Sequence, residues 1–259
     1  MQPLPHQLER TLVIQASPET VFRYFTDSAR WAAWWGAGST IEARPGGAVT
    51  IRYPNGVRVL GEVLEVHKPE RIVFTYGYES GNPIPPGSSR VTIELDPEAR
   101  GTRLQLKHEF AEVTVRDQHV AGWRFQLSLF ANLVADDVNA NAVGLVDAWF
   151  EAWTIADDSA RTQALERIAA PHTAFRDRYA CINGLPELSD HIAATLRFMP
   201  GVRLERKGAV RHCQYTVLSD WIACGPDGQP RMAGTNVFIL GADGRIETVT
   251  GLWNPQEAA

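Results

Sequence analysis

The chain has 259 residues, of which 44% are hydrophobic and 21% charged, with a formal net charge of −5 at pH 7. That length allows one large or two ordinary domains, each able to bury a core. A mildly acidic balance gives no electrostatic ground for nucleic acid or an anionic membrane as partner, and neither is expected. The nearest approach to a basic cluster, Arg203, Arg206, Lys207 and Arg211, reads as a solvated strand-and-turn surface. The opening MQPLPHQLER holds no long apolar run, so neither a secretory signal nor a membrane anchor is expected. Cys181, Cys213 and Cys224 are unevenly spaced without a CxxC, and read as thiols of a protein in the reducing cytoplasm. With no Walker loop, no GxGxxG after a strand, no HExxH and no GxSxG, no metal and no organic cofactor is expected.

Residues 10–15 alternate as a strand. Ser17-Pro18-Glu19 then reads as a helix start, with serine at the N-cap and proline in the first turn. Val21, Phe22 and Phe25 give that short helix its buried face, and a second short helix carries Trp31, Trp34 and Trp35. Pro45-Gly46-Gly47 leads into strands expected at 48–53, 57–67, 71–78, 90–95 and 102–110, with Asn55-Gly56 and 96–101 as hairpin turns. A helical stretch over 119–153 follows, broken at Asp136-Asp137-Val138-Asn139. Its first half carries one stripe of Val120, Trp123, Leu127, Phe130 and Val134, and a second of Phe125, Leu129 and Leu133. Two apolar sides predict two buried surfaces, the second against another domain or subunit.

The segments SPETVFRYFTD, WAAWWG, RPGGAVTI, GEVLEVHKPERIVFTY and GWRFQLSLFANL resemble bacterial relatives of the activator-of-Hsp90-ATPase family, within the START-like helix-grip superfamily. The resemblance spans about 8–136. It implies an α+β domain over 1–137, an antiparallel sheet wrapped on a long C-terminal helix, with a cavity for an apolar or aromatic small molecule. Alternation sets the inward side chains: His108 and Phe110 share a face with Leu104 and Leu106, and Phe74, Tyr76 and Tyr78 share one with Ile72. With Trp34, Trp123 and Leu127 these are either the lining of a ligand pocket or an ordinary core.

Beyond the break, the stripe Ala142, Val146, Trp149, Phe150 and Trp153 predicts a helix over 144–157, followed by helices over 161–169 and 186–198. Strands are expected at 174–179, 202–207, 211–223, 231–240 and 245–253. AWFEAW, FRDRY, INGLPELSDHIAATLRFMPGVRLERKG and AGTNVFILGADGRIETVTGLW resemble the SnoaL-like branch of the nuclear-transport-factor-2-like superfamily. That resemblance implies an α+β cone over 138–259, of a kind that includes cyclases, isomerases, dehydratases and non-catalytic binders. On the strand at 174–179, Phe175, Asp177 and Tyr179 share a face, so Asp177 either projects into the mouth of the cone or caps a turn. Asp177, Tyr179 and His212 are the candidate catalytic residues, and Trp149, Phe175, Trp221 and Asn236 the candidate lining, with His191 a further one. Many SnoaL-like chains carry Asp near the position of Asn236, and an amide shuttles no proton.

Three functions follow as expectations. The first is a cytoplasmic binder of a small apolar or aromatic ligand. The second is a cofactor-independent cyclase, isomerase or dehydratase acting through Asp177 with Tyr179 or His212. The third is an interaction module that forms a homodimer through Phe125, Leu129 and Leu133.

Overall fold

A computed structural model describes residues 3–254. The chain divides into two compact units, Met1–Asp137 and Val138–Ala259, each α+β.

In the first unit a seven-stranded antiparallel sheet runs in the order β1-β7-β6-β5-β4-β3-β2. Its strands are β1 (His6–Ile14), β2 (Thr40–Ile41), β3 (Ala48–Arg52), β4 (Arg58–His67), β5 (Arg71–Tyr76), β6 (Ser89–Glu98) and β7 (Gly101–Phe110). Helix α1 (Pro18–Arg23) starts on the serine cap that the sequence marks, and α2 (Ser28–Trp35) starts on a cap at Asp27. The Thr20 N–H donates to Ser17 Oγ, and the Arg30 N–H to Asp27 Oδ1. The long helix α3 (Val113–Val138) grips the sheet with one face, which includes Val115, His119, Trp123, Leu127, Phe130 and Val134.

Two expectations are corrected in α3. It begins six residues before His119, and the polar run at Asp136-Asp137 lies inside its last turn. Both aspartates are exposed there, and Asp137 pairs with Arg30 at 2.5 Å, so the helix tolerates them. The second stripe, expected against another domain or subunit, is largely open in the single chain. Phe125 is 69% exposed and Leu129 36%, while Leu133 is half-buried with its carbonyl accepting from the Tyr24 hydroxyl.

The second unit opens with α4 (Ala142–Ala152) and α5 (Asp158–Ile168), then β8 (Ala169–Arg176), β9 (Cys181–Asn183) and α6 (Leu185–Phe198). The chain then runs through β10 (Arg203–Cys213), β11 (Thr216–Cys224), β12 (Pro230–Leu240) and β13 (Ile246–Trp253). The sheet order is β10-β11-β12-β13-β8-β9, and β13 pairs with β8 in parallel, so the sheet is mixed rather than antiparallel throughout. Inner faces of the strands and the helices close over a core of Val146, Trp149, Leu165, Ile192, Val217 and Phe238. Arg161, 1% exposed, ties α5 to α6 and to the preceding loop. It donates to Ser189 Oγ at 3.0 Å, to the carbonyls of Ile155 and Ala156, and to Asp158.

The stretch expected as one strand over 211–223 is a hairpin. The chain reverses at Gln214-Tyr215, where Gln214 adopts φ +51°. HCQYTV carries no Gly, Pro, Asn or Asp to announce the turn. The turn is held from outside: the Asn139 amide donates to the Gln214 carbonyl at 2.7 Å and the Leu240 N–H to the Tyr215 carbonyl at 2.9 Å.

Candidate functional site

Between the first sheet and α3 the expected inward residues do meet. Trp34, Phe74, Tyr76, His108, Phe110, Trp123 and Leu127 are all buried, and Tyr78 is half-buried. They meet ring against ring. Trp34 lies 4.3 Å from Trp35 and 5.0 Å from Phe130 between centroids, Trp31 5.7 Å from Phe74, and Tyr76 5.0 Å from His108.

Hydrogen bonding assigns His108 a fixed state. The Trp123 indole N–H, which can only donate, meets His108 Nδ1 at 2.9 Å, so Nδ1 is unprotonated. The proton therefore sits on Nε2 and is donated to Ser89 Oγ at 2.8 Å, while the serine hydroxyl donates to the Tyr76 carbonyl. His119 holds the opposite tautomer: Nδ1–H faces the Val115 carbonyl at 2.8 Å, and Nε2 accepts from the Tyr78 hydroxyl at 3.2 Å. Burial holds the His108 pKa well below the ordinary histidine value, with His119 nearby adding to the effect. Burial lowers His119 as well, partly offset by its bond to the Val115 carbonyl. Burial also pushes the Tyr53 phenol up to about 12 and Tyr76 well above the usual range.

The sign for stability follows. Below about pH 6.5 an unfolded histidine takes up a proton that the folded one refuses, so the unfolded state binds more protons. The contribution is full above that pH and is lost as pH falls toward the depressed folded values. Urea midpoints are expected to fall steadily from pH 7.5 to pH 5.5, and a His108→Leu variant should show a shallower slope on a lower baseline. Equal midpoints for the parent at both pH values would show that the folded chain accepts the proton.

The second unit holds a cavity of about 540 Å³ at the open end of its sheet. Alternation along β11 turns Val217, Ser219 and Trp221 inward, and along β12 Gly234, Asn236 and Phe238. Register places Gly234 opposite both Trp221 and Trp253. A Cβ there would stand 2.6 Å from Trp221 Cζ2, so the missing side chain lets the two indoles meet above it, 5.5 Å apart at 87°. One helical face of α6 supplies His191, Ala194, Thr195 and Phe198, spaced as i, i+3, i+4 and i+7. Trp149 enters from α4 and Trp153 from the residue that caps its end, and Met199, Leu204 and Met232 lie around the cavity.

Phe175, Asp177, Tyr179, Trp149, Trp221 and Asn236, all expected from the sequence, border this cavity, as does His191. Asp177 is not on the strand, because β8 ends at Arg176. It opens a tight turn in which its N–H donates to the Ala180 carbonyl at 3.0 Å and its Oδ1 accepts from the Tyr179 N–H at 2.7 Å. One oxygen of Asp177 thus caps the turn, one of the two expectations, and the residue also borders the cavity. Tyr179 stands on the rim, 69% exposed, with its ring 5.2 Å from Trp253. His212 is not brought to the cavity. It lies at the hairpin end of β10, opposite Val217 and exposed, because the hidden turn at Gln214 sends it away from the other candidates.

The sequence reading missed Trp253 and Gly251. The strand pattern shows which residues of β13 alternate, but only the register with β12 shows that Gly251 faces Asn236 and Trp253 faces Gly234. Three indole N–H groups, those of Trp153, Trp221 and Trp253, are buried without an acceptor. The Asn236 side chain beside them is 6% exposed. Of the lining residues none is Lys or Arg. Among the described residues no group of three or more His, Cys, Asp and Glu is gathered to hold a metal, and no helix is long and apolar enough to cross a membrane.

Residues 15–135 match the family of activator of Hsp90 ATPase homolog 1-like proteins. The match covers most of the first unit and none of the second. No curated protein matches the chain. Solved structures similar to part of it include a SnoaL-like family protein from Agrobacterium tumefaciens, at 24% identity over 44% of this chain and 97% of that one, TM-score 0.42. Another is a Chromobacterium violaceum protein, at 27% identity over 51% and 98%, TM-score 0.43. A third is the Aha1 dimer from Colwellia psychrerythraea, at 15% identity over 50% and 96%, TM-score 0.44.

Proposed function

We propose that the chain is a cytoplasmic binder of a small, largely apolar aromatic molecule, held in the cavity of the second unit. In this reading 1–137 is the START-like domain and 138–259 the SnoaL-like cone. The observation that carries it is the cavity: its volume falls within the roughly 300–1,000 Å³ of small-molecule sites, and its walls are aromatic with few polar groups. Burying one face of a two-ring aromatic against Trp153, Phe175, Trp221 and Trp253 would remove on the order of 100 Å² from water, about 2–3 kcal/mol. Native mass spectrometry of the chain with neutral two- and three-ring aromatics tests this. Saturable 1:1 adducts are expected, and their absence at millimolar compound would reject the proposal.

A second reading is favoured by one feature, the Asp177 side chain bordering the cavity near Asn236. A carboxylate so placed serves as general base or acid, with the neighbouring Asn236 amide to hold a developing oxyanion. In this reading Asp177→Asn lowers turnover of a substrate by about 10²–10⁴-fold, and unchanged turnover rejects the mechanism.

A further inference from the structure

Of the chain's seven histidines, His191 borders the cavity, on the same face of α6 as Thr195. Its ring packs against two other lining side chains. It meets Trp153 edge-to-face, with centroids 5.8 Å apart at 85°, and Phe175 at 5.9 Å and 42°. Packing thus fixes the place of the imidazole, but hydrogen bonding does not fix its state. His108 and His119 each commit both nitrogens to protein partners, which sets their tautomers. Among the described residues neither nitrogen of His191 meets such a partner, and neither is buried. Other polar groups of the wall are committed or sheltered. Asp177 Oδ1 accepts from the Tyr179 N–H at 2.7 Å, the Thr195 hydroxyl donates to the His191 carbonyl at 3.0 Å, and the indole N–H groups of Trp153, Trp221 and Trp253 are buried. We propose that His191 is the polar anchor of the cavity, and that the ligand is an aromatic body bearing an oxygen, either hydroxyl or carbonyl. This rests on the cavity's role as a ligand site.

A neutral imidazole presents one donor nitrogen and one acceptor nitrogen, and a change of tautomer exchanges them. With no protein group holding either nitrogen, the ligand sets the tautomer. A hydroxyl donates to the bare nitrogen, whereas a carbonyl accepts from the N–H. Either gains a bond that a plain hydrocarbon cannot make. A hydrocarbon seated against His191 would instead strip water from the imidazole without replacing it, which is costly. Trp153 and Phe175 hold the ring of His191 and also line the cavity, so the anchor lies beside the surface that takes the ligand's body. His191 is thereby a specificity residue for oxygenated over plain aromatics, and it does not discriminate hydroxyl from carbonyl.

Calorimetric titration of the full chain at pH 7.5 with naphthalene, 2-naphthol and 2-acetylnaphthalene tests the proposal. The parent is expected to bind each oxygenated probe about tenfold more tightly than naphthalene. His191→Phe keeps a ring against Trp153 and Phe175 but carries no nitrogen. It should erase both margins while leaving naphthalene within about twofold. In the parent, the ¹⁵N signals of the His191 ring should move saturably with both oxygenated probes and far less with naphthalene, while those of His108 and His119 stay in place. That readout decides the matter if the variant fails to fold. Equal affinity of the parent for naphthalene and the oxygenated probes overturns the anchor but leaves the cavity site standing. Margins unchanged in His191→Phe, or His191 nitrogens that respond no more to the oxygenated probes than to naphthalene, do the same. Binding of none of the three overturns the inference and the ligand site together.

Discussion

Trp34→Ala is expected to lower the stability of the first unit by about 3–5 kcal/mol, a large share of the roughly 5–15 kcal/mol that holds an ordinary domain together. Trp34 is 1% exposed and sits where α1, α2 and α3 meet. Its ring contacts Phe25, Trp31, Trp35 and Phe130, and its N–H donates to the Tyr24 carbonyl at 3.3 Å. Its own carbonyl accepts from the Gln126 amide of α3, so the residue ties the helix grip through backbone as well as side chain. Truncation leaves a hole among rigid rings that cannot collapse without moving a helix. Urea denaturation followed by near-ultraviolet circular dichroism reads the loss. A midpoint within error of the parent would show that the aromatic cluster repacks. The methyl signals of Met199 and Met232 report the second unit alone and are expected to keep their parent midpoint.

Gly251→Val is expected to weaken 2-naphthol binding by about tenfold, and Gly251→Ala by less, because the added carbons crowd the cavity wall that Gly251 forms. A single added carbon already meets Asp177 Cβ at 3.1 Å and Asn236 Oδ1 at 3.3 Å. The same crowding costs stability, about 1–3 kcal/mol. A loss of stability with 2-naphthol affinity unchanged would place the ligand away from this wall.

Much of each unit is legible from side-chain periodicity, because burying one face of a strand imposes a period of two. Leu104, Leu106, His108 and Phe110 of β7 are all buried, as the alternation predicts. What escapes is information that resides in pairing. His212 and Trp221 lie within one run of alternating residues, and only the turn at Gln214, stabilised by Asn139 far along the chain, separates them. Gly251 carries no side chain to attract notice, and its importance appears only when β13 is set against β12 and β8. The stripe of Phe125 and Leu129 shows the converse: periodicity detects an apolar face but does not say what covers it.

The central claim, that the cavity of the second unit takes a small aromatic molecule, is tested most directly at its methionines. The chain has three, and two of them, Met199 and Met232, line the cavity. In a spectrum of ¹³C-methyl methionine, titration with 2-naphthol should shift the Met199 and Met232 methyl signals together, saturably, by the ring current of the bound probe. Saturable binding by calorimetry with both cavity methyls unmoved would place the ligand elsewhere and contradict the account.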